Sequence, residues 1–197
     1  MPRTPDSNGA PPPPRSARRV STPHPRDVIP NPVNRVASFP RREGVVRPGL
    51  GIDDSGRWYD DVRIGETFSR SITITDTHLV LGAGLIGDFN PHHVNDEYAK
   101  TTRFGTRILH GTITSALMGA PVGMYFHGTA IAYLEHAARF KAPVRAGDTL
   151  TSTWTVVARH DKPGHGGGVV VLAGVCRNQD GNVVAEADGK MLVHARG

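Results

Sequence analysis

The sequence predicts an α+β domain in which a five-stranded antiparallel sheet curls around one long helix. Three observations predict this fold: one strand-like segment comes first, a helical region follows it, and four further strand-like segments complete the chain. Turn-forming Gly, Pro, Asn and Asp residues separate these last segments, so they pair as hairpins and the sheet is antiparallel. The apolar face of such a sheet needs a covering layer, which the long helix supplies.

The first elements are a strand and two short helices. Residues 66–75 partly alternate polar and apolar side chains, as a half-buried strand does. Asp76 is a candidate N-cap for a helix that runs to about Leu85. A second short helix is expected over residues 96–100, after a dense polar segment.

Residues 108–124 have the pattern of the longest helix. Gly111, Gly119 and Gly123 are unusual in an exposed helix, and because glycine permits close approach of another backbone we expect this helix to be buried against the sheet. Pro121 is expected to kink or end it. Apolar residues recur at steps of three and four and form the predicted buried stripe: Leu109, Ile113, Ala116, Leu117, Ala120 and Met124.

The rest of the chain is rich in strand patterns, over residues 131–141, 149–157, 169–175 and 183–194. The second of these alternates Thr with larger or apolar residues, which predicts one polar and one buried face. In the first, the residues expected to share one face are Ala132, Leu134, His136, Ala138 and Phe140.

Residues 1–48 differ sharply from the remainder. They hold 12 of the 16 Pro and 9 Arg against 3 acidic residues, whereas the rest has 14 Lys and Arg against 15 Asp and Glu, a net charge of −1. We therefore predict a disordered extension over 1–48 and one domain over 49–197, and expect activity to survive deletion of the extension. Because the body is nearly neutral, the basic pI does not indicate a nucleic-acid-binding domain.

Composition excludes several other classes of protein. One Cys rules out a disulfide framework and a multi-thiolate metal site. The sequence has neither an apolar run long enough for a membrane span nor the h-region of a signal peptide. We predict a soluble, cytoplasmic protein.

Asp88 and His93 form the strongest candidate for catalysis. Pro91 keeps Asn90 out of helical geometry, so the segment is expected to be a shaped loop rather than a helix. Such a loop can turn a carboxylate and an imidazole toward one water, and the two groups then act as a general acid/base pair. The alternative is that turn chemistry alone explains the Asp and Asn residues.

His110 and Gly111 precede the predicted long helix. A helix N-terminus presents unpaired N–H groups, and a glycine there lets a ligand carbonyl come close enough to use them as an oxyanion hole. The alternatives are that Gly111 serves only tight packing and that His110 is a structural histidine bridging loops.

A metal site at Asp88, His92 and His93 is not favoured, because adjacent histidines on an extended loop point apart. Arg103, Arg107 and Lys141 are candidates for contacts with phosphate groups, and the sequence does not choose among them.

Three segments together resemble the MaoC-like, (R)-specific enoyl-CoA hydratase family. Residues 87–93 resemble its hydratase motif, residues 104–111 its entry to the central helix, and residues 140–148 its strand-and-turn segment. The resemblance covers about residues 58–194 and implies a single hot-dog fold and a homodimer whose sheets join edge to edge.

The family adds water reversibly to trans-2-enoyl thioesters carried by coenzyme A or a carrier protein. The resemblance implies that Asp88 and His93 hold the water, that the Gly111 N–H binds the thioester oxygen, and that Asn90 orients the loop. It assigns no cofactor and no metal.

Departures from the family pattern concern the pocket more than the chemistry. His92 stands where an aliphatic residue is usual, Thr106-Arg107 replaces a residue-Pro pair, and Gly119 replaces a serine found in some members. A hot-dog thioesterase and a non-catalytic acyl-thioester-binding accessory protein remain the alternatives.

Overall fold

A computed structural model describes residues 56–197 of the 197-residue chain. The predicted extension over 1–48 and the proposed boundary at residue 49 lie outside the described residues. The five strands are β1 (Thr67–Thr73), β2 (Ala130–Phe140), β3 (Thr149–Lys162), β4 (Gly167–Arg177) and β5 (Val183–His194), and the four helices are α1 (Asp76–Ile86), α2 (Pro91–Val94), α3 (Asp96–Lys100) and α4 (Gly111–Tyr125).

The strands form one antiparallel sheet in the order β1-β3-β4-β5-β2, which confirms the predicted fold class. The long helix α4 packs against β1, β2, β3 and β5. The sheet therefore curves around α4, and β1 and β2 are its two edges.

Trp154 fixes the helix on the sheet. Its side chain is fully buried, and its indole N–H donates to the carbonyl of Met118 in α4 at 2.8 Å. A Cβ atom added to Gly174 on β4 would lie 2.8 Å from the indole ring, so only glycine leaves room for it. One side chain thus joins β3, β4 and α4.

The helix boundaries differ from the prediction in three places. Thr75, not Asp76, is the N-cap of α1, and it forms a capping box with the side chain of His78. The segment of residues 87–95, predicted to be a loop without helix, contains one helical turn, α2, because Pro91 occupies the first helical position, where it sacrifices no hydrogen bond. Pro121 lies inside α4 and does not end it.

The buried face of α4 is also different from the predicted stripe. Thr114, Met118, Pro121 and Val122 are its buried residues, whereas Ala116, Ala120 and Met124 of the predicted stripe are exposed. Apolar residues lie on both sides of this helix, so spacing alone could not identify the side that meets the sheet.

A bulge in β2 changes which of its side chains share a face. The pairing shifts between Tyr133, opposite Met191, and Glu135, opposite Lys190. Tyr133 consequently joins His136 on the helix side, and its hydroxyl lies 2.7 Å from His136 Nδ1. Ala132 was predicted to share that face but pairs with Leu192. Because Leu192 and Met191 are successive residues of β5, their side chains point to opposite faces, and Ala132 lies on the face away from the helix.

Candidate active site

The loop after α1 carries Asp88. Gly87 ends the helix in the left-handed conformation, with φ of 73°, so the chain turns sharply before the carboxylate. The Asn90 N–H donates to Asp88 Oδ1 at 3.1 Å, and Asn90 Oδ1 accepts from the His92 N–H at 3.2 Å. Asn90 thereby holds one carboxylate oxygen and caps α2, which leaves Asp88 Oδ2 for other partners.

His93 lies on α2, and a main-chain group holds one of its two ring nitrogens. Its Nδ1 lies 2.7 Å from the carbonyl oxygen of Ile108. A carbonyl only accepts hydrogen bonds, so Nδ1 carries the hydrogen and the lone pair of the neutral ring is on Nε2. This is the tautomer in which Nε2 can accept a proton.

The two candidate catalytic side chains face each other across a gap. His93 Nε2 and Asp88 Oδ2 are 3.9 Å apart, too far for a direct hydrogen bond. One water bridging both atoms fits such a separation. The His93 side chain is 13% exposed and that of Asp88 51% exposed in the single chain, so solvent can reach this gap.

The N-terminus of α4 lies beside this pair. Gly111 is the first helical residue, and the side chain of the N-cap residue His110 does not cap the helix. The N–H groups of the first turn have no intrahelical partner and can bind an anionic oxygen. A Cβ atom on Gly111 would lie 3.0–3.2 Å from the ring of Phe140, so glycine is also needed for this close contact.

His110 bridges the loop and the helix. It is 1% exposed, and its Nε2 lies 2.9 Å from the main-chain oxygen of Asp88. Its ring stacks on that of His93, with 3.7 Å between centroids and an interplanar angle of 28°. These contacts are those of a loop-bridging histidine.

A cavity of about 290 Å³ lies at these residues. His93 and Gly111 line it together with Phe104, Phe140 and Ala142, so its wall is largely apolar, as in small-molecule sites. A larger cavity of about 670 Å³ is lined by Arg57, Asp60, Asp61, Arg63, Ile64 and Glu66, and its charged side chains include the Arg57–Glu66 ion pair. We place the candidate site at the smaller cavity because His93 and Gly111 line it and the Asp88 carboxylate lies 3.9 Å from His93 Nε2.

The three candidate phosphate-binding cations have different surroundings. Arg107 is held between Asp76 and Asp96, with N–O distances of 2.9 Å and 2.6 Å, and Lys141 pairs with Glu186 at 3.0 Å. Arg103 lines the cavity and lies over the Phe104 ring. Within residues 56–197, no carboxylate pairs with it.

Sequence reasoning did not find the residues that support the site. Ile108 holds His93 through its carbonyl, and Phe140 packs on Gly111. His92, the departure from the family pattern noted above, makes edge-to-face contacts with Tyr98 and Phe104, which the sequence did not predict. Ile108, Phe104 and Phe140 stand inside the motifs described above. Their contacts join parts of the chain far apart in sequence, so no local pattern reveals them.

Asp88, His93 and His110 have ligand atoms that all lie within 4.8 Å of one another. The lone pair of an imidazole nitrogen lies in the ring plane, and stacked rings direct their lone pairs side by side rather than to one point. The Nε2 of His110 is already hydrogen-bonded to the main-chain oxygen of Asp88. This arrangement does not fit a three-ligand metal site.

Comparisons with known proteins identify the family of this chain. The family model described as "MaoC like domain" matches residues 61–173. An (R)-specific enoyl-CoA hydratase of Rhodospirillum rubrum is 37% identical over 140 residues, which cover 71% of this chain and 94% of the relative. A 3-hydroxybutyryl-CoA dehydratase of Methylorubrum extorquens is 36% identical over 93 residues, 47% of this chain and 59% of that protein.

Solved structures show the same architecture. The R-hydratase PhaJ1 from Pseudomonas aeruginosa superposes with a TM-score of 0.64 at 30% identity, covering 71% of this chain and 86% of that one. A MaoC-like dehydratase from Rhodospirillum rubrum gives a TM-score of 0.64 at 25% identity, covering 72% and 99%. The chain therefore belongs to the MaoC-like family of hot-dog-fold enzymes and is a hydratase/dehydratase of that family.

Proposed function

We propose that this enzyme adds water reversibly to trans-2-enoyl thioesters, giving 3-hydroxyacyl thioesters, with Asp88 and His93 as its catalytic pair. One observation carries the proposal: His93 Nε2 and Asp88 Oδ2, two acceptor atoms, face each other across 3.9 Å. A water between them donates one hydrogen to each, and its lone pairs then point away from both, toward a substrate.

In the hydration direction, the water oxygen bonds to C3 as the C2–C3 double bond opens. One member of the pair accepts a proton from the water, and the electron pair moves through C2 to the thioester oxygen. A proton then passes from the pair to C2, so water is added in full and the enzyme returns to its initial state. In the reverse direction the pair removes the C2 proton and protonates the departing hydroxyl.

The enolate oxygen of this reaction needs hydrogen-bond donors. Helix α4 begins at Gly111, beside His93 in the same cavity, and its first N–H groups are the donors we assign to that oxygen. They are fixed by the helix before the substrate arrives, so no reorganisation is required during the reaction.

The carrier of the thioester is coenzyme A or a carrier protein. The relatives include proteins named for each, among them a 3-hydroxyacyl-[acyl-carrier-protein] dehydratase of Arabidopsis thaliana. Arg103 is the cavity residue best placed for a phosphate of either carrier, because Arg107 and Lys141 are paired with carboxylates.

We place the enzyme in the cytoplasm. In the described part of the chain no helix is both long and apolar enough to cross a membrane.

A homodimer joined through the β2 edge of the sheet is part of the proposal. β2 is an edge strand that exposes aromatic residues, with Tyr133 38% and Phe140 51% exposed. The opposite edge, β1, carries Ser69, Arg70 and Ser71 and is more polar. An unpaired edge is a template for another strand, and sedimentation equilibrium should give twice the 21.2 kDa chain mass.

The decisive test is hydration of crotonyl-CoA, followed by loss of enoyl absorbance, in Asp88→Asn and His93→Gln variants. Each variant should lose on the order of 10²-fold to 10⁴-fold in kcat with its melting temperature unchanged. Asp180→Asn and His165→Gln, on exposed turns, are matched controls and should retain full activity.

Near-normal hydration by either catalytic variant would overturn the assigned pair. Release of free thiol from acyl-CoA without loss of enoyl absorbance would instead identify a thioesterase. Tight binding of acyl thioesters with neither reaction would identify an accessory protein.

A further inference from the structure

His110 is a buried side chain to which the proposed reaction assigns no chemical step. It is 1% exposed and immediately precedes Gly111, as the N-cap residue of α4. It contacts both members of the proposed catalytic pair: Nε2 donates to the Asp88 carbonyl at 2.9 Å, and the ring stacks on His93 at 3.7 Å.

The hydrogen bond fixes the main chain at Asp88. This residue follows the end of α1 in a turn whose side chains are exposed, so few packing contacts hold it. A bond from the buried ring of His110 to its carbonyl restrains the peptide from which the carboxylate extends. The bond from the Asn90 N–H restrains only Oδ1.

The stacking contact fixes the plane of the His93 ring. The bond from Nδ1 to the Ile108 carbonyl leaves the ring free to swing about that contact, which would move Nε2. The stacked ring of His110 removes this freedom. The two contacts together determine the gap of 3.9 Å between Nε2 and Asp88 Oδ2.

We propose that His110 is the positioning residue of the catalytic pair, acting through the Asp88 main chain and the His93 ring without touching the substrate. It also begins the helix that carries the Gly111 N–H, so it links the acid/base pair and the oxyanion donor in one rigid unit. Its Nδ1 faces α1, where a Cβ atom added to Gly82 would lie 3.5 Å from it.

Two variants separate the two contacts. His110→Gln retains an N–H donor that can reach the Asp88 carbonyl but lacks the ring. His110→Phe retains a ring that can stack on His93 but lacks the donor. His110→Ala lacks both. The measurements are kcat and KM for crotonyl-CoA, per mole of folded enzyme, well below each melting temperature.

We expect His110→Gln and His110→Phe each to lower kcat by about tenfold and His110→Ala to lower it by about 100-fold, with KM within about threefold of the wild type, because a small misplacement of reacting groups has effects of this size. A kcat of both His110→Gln and His110→Phe above that of His110→Ala is the signature of two separate contacts. If His110→Ala does not fold, the losses of kcat in His110→Gln and His110→Phe decide the matter.

A wild-type kcat in both His110→Gln and His110→Phe would overturn the inference. A raised KM at unchanged kcat would also overturn it, because it indicates a substrate contact. The inference rests on the proposed function, and Asp88→Asn in the same assay distinguishes the two failures. If Asp88→Asn is active, the proposed pair is wrong. If Asp88→Asn is inactive while the His110 variants are unaffected, only the positioning role is wrong.

Discussion

A Cβ atom on Gly111 would lie 3.0 Å from Cε2 of Phe140, closer than such contacts normally are. The contact joins the N-terminus of α4 to the last residue of β2, two parts of the chain about 30 residues apart. Phe140 also lines the cavity, so a shift of its ring changes the shape of the cavity wall. Gly111 is therefore constrained more by the cavity than by the stability of the fold.

Gly111→Ala should consequently impair activity while leaving the protein folded. The added methyl group occupies space beside the first N–H groups of α4 and displaces Phe140 into the cavity wall, and we expect kcat/KM for crotonyl-CoA to fall on the order of 10-fold to 100-fold. Gly123→Ala is the matched control, because nothing lies within 4 Å of a Cβ atom at this exposed position of the same helix. Equal activity of the two variants would contradict this account.

Arg103→Gln should raise KM for crotonyl-CoA by about tenfold, the size expected for loss of one charge-assisted hydrogen bond. The effect should vanish with crotonyl-pantetheine, which lacks phosphate. Arg70→Gln, at an exposed position on β1, is the control and should behave as the wild type. An equal rise in KM for both substrates would show that Arg103 does not bind phosphate.

His136 should make the enzyme less stable in acid. Burial lowers the pKa of this imidazole below its ordinary value of 6.5, and its bonded neighbour Tyr133 stays neutral because burial raises the pKa of the phenol to about 12. The unfolded chain therefore binds a proton that the folded chain does not. The contribution of His136 to the free energy of unfolding is consequently complete above pH 6.5 and is lost as the pH falls.

Melting temperatures measured between about pH 8 and about pH 5 test this linkage. His136→Gln removes the titrating group and should reduce the loss of stability across that range. A variant whose melting temperature falls as steeply as that of the wild type would exclude His136 as the cause.

Gly168→Ala should destabilise the fold. A Cβ atom there would lie 2.2 Å from the buried ring of Tyr59, whose hydroxyl donates to Asp161 at 2.6 Å. Because the ring cannot retreat without breaking that bond, we expect a loss of about 1–3 kcal/mol in the free energy of unfolding.

Gly84→Ala should have the opposite effect on the free energy of unfolding. Nothing lies within 4 Å of a Cβ atom at this exposed position in α1. Alanine should therefore stabilise the protein by up to about 1 kcal/mol through its better helix propensity. Chemical denaturation of both variants gives the comparison, and a stable Gly168→Ala variant would contradict the packing argument.

The strand pattern was largely readable from the sequence because each hairpin has a local signal. β5 was predicted with the bounds that it has in the structure. β3 was predicted from its first residue but continues beyond the predicted end at residue 157, and β4 was predicted at its centre but is longer at both ends. The additional pairs, such as His160 with Val169, form only because the facing strand is present. Alternation along one segment does not report such pairing.

The sequence by itself determined the class of fold, the order of its elements and the segments that carry the chemistry, since periodicity, turn residues and motif spacing are local properties. Only the tertiary structure decided which face of α4 is buried, that a bulge turns Tyr133 toward the helix, and how His110 contacts both Asp88 and His93. These features depend on contacts between residues distant in sequence, and a one-dimensional pattern does not specify such contacts.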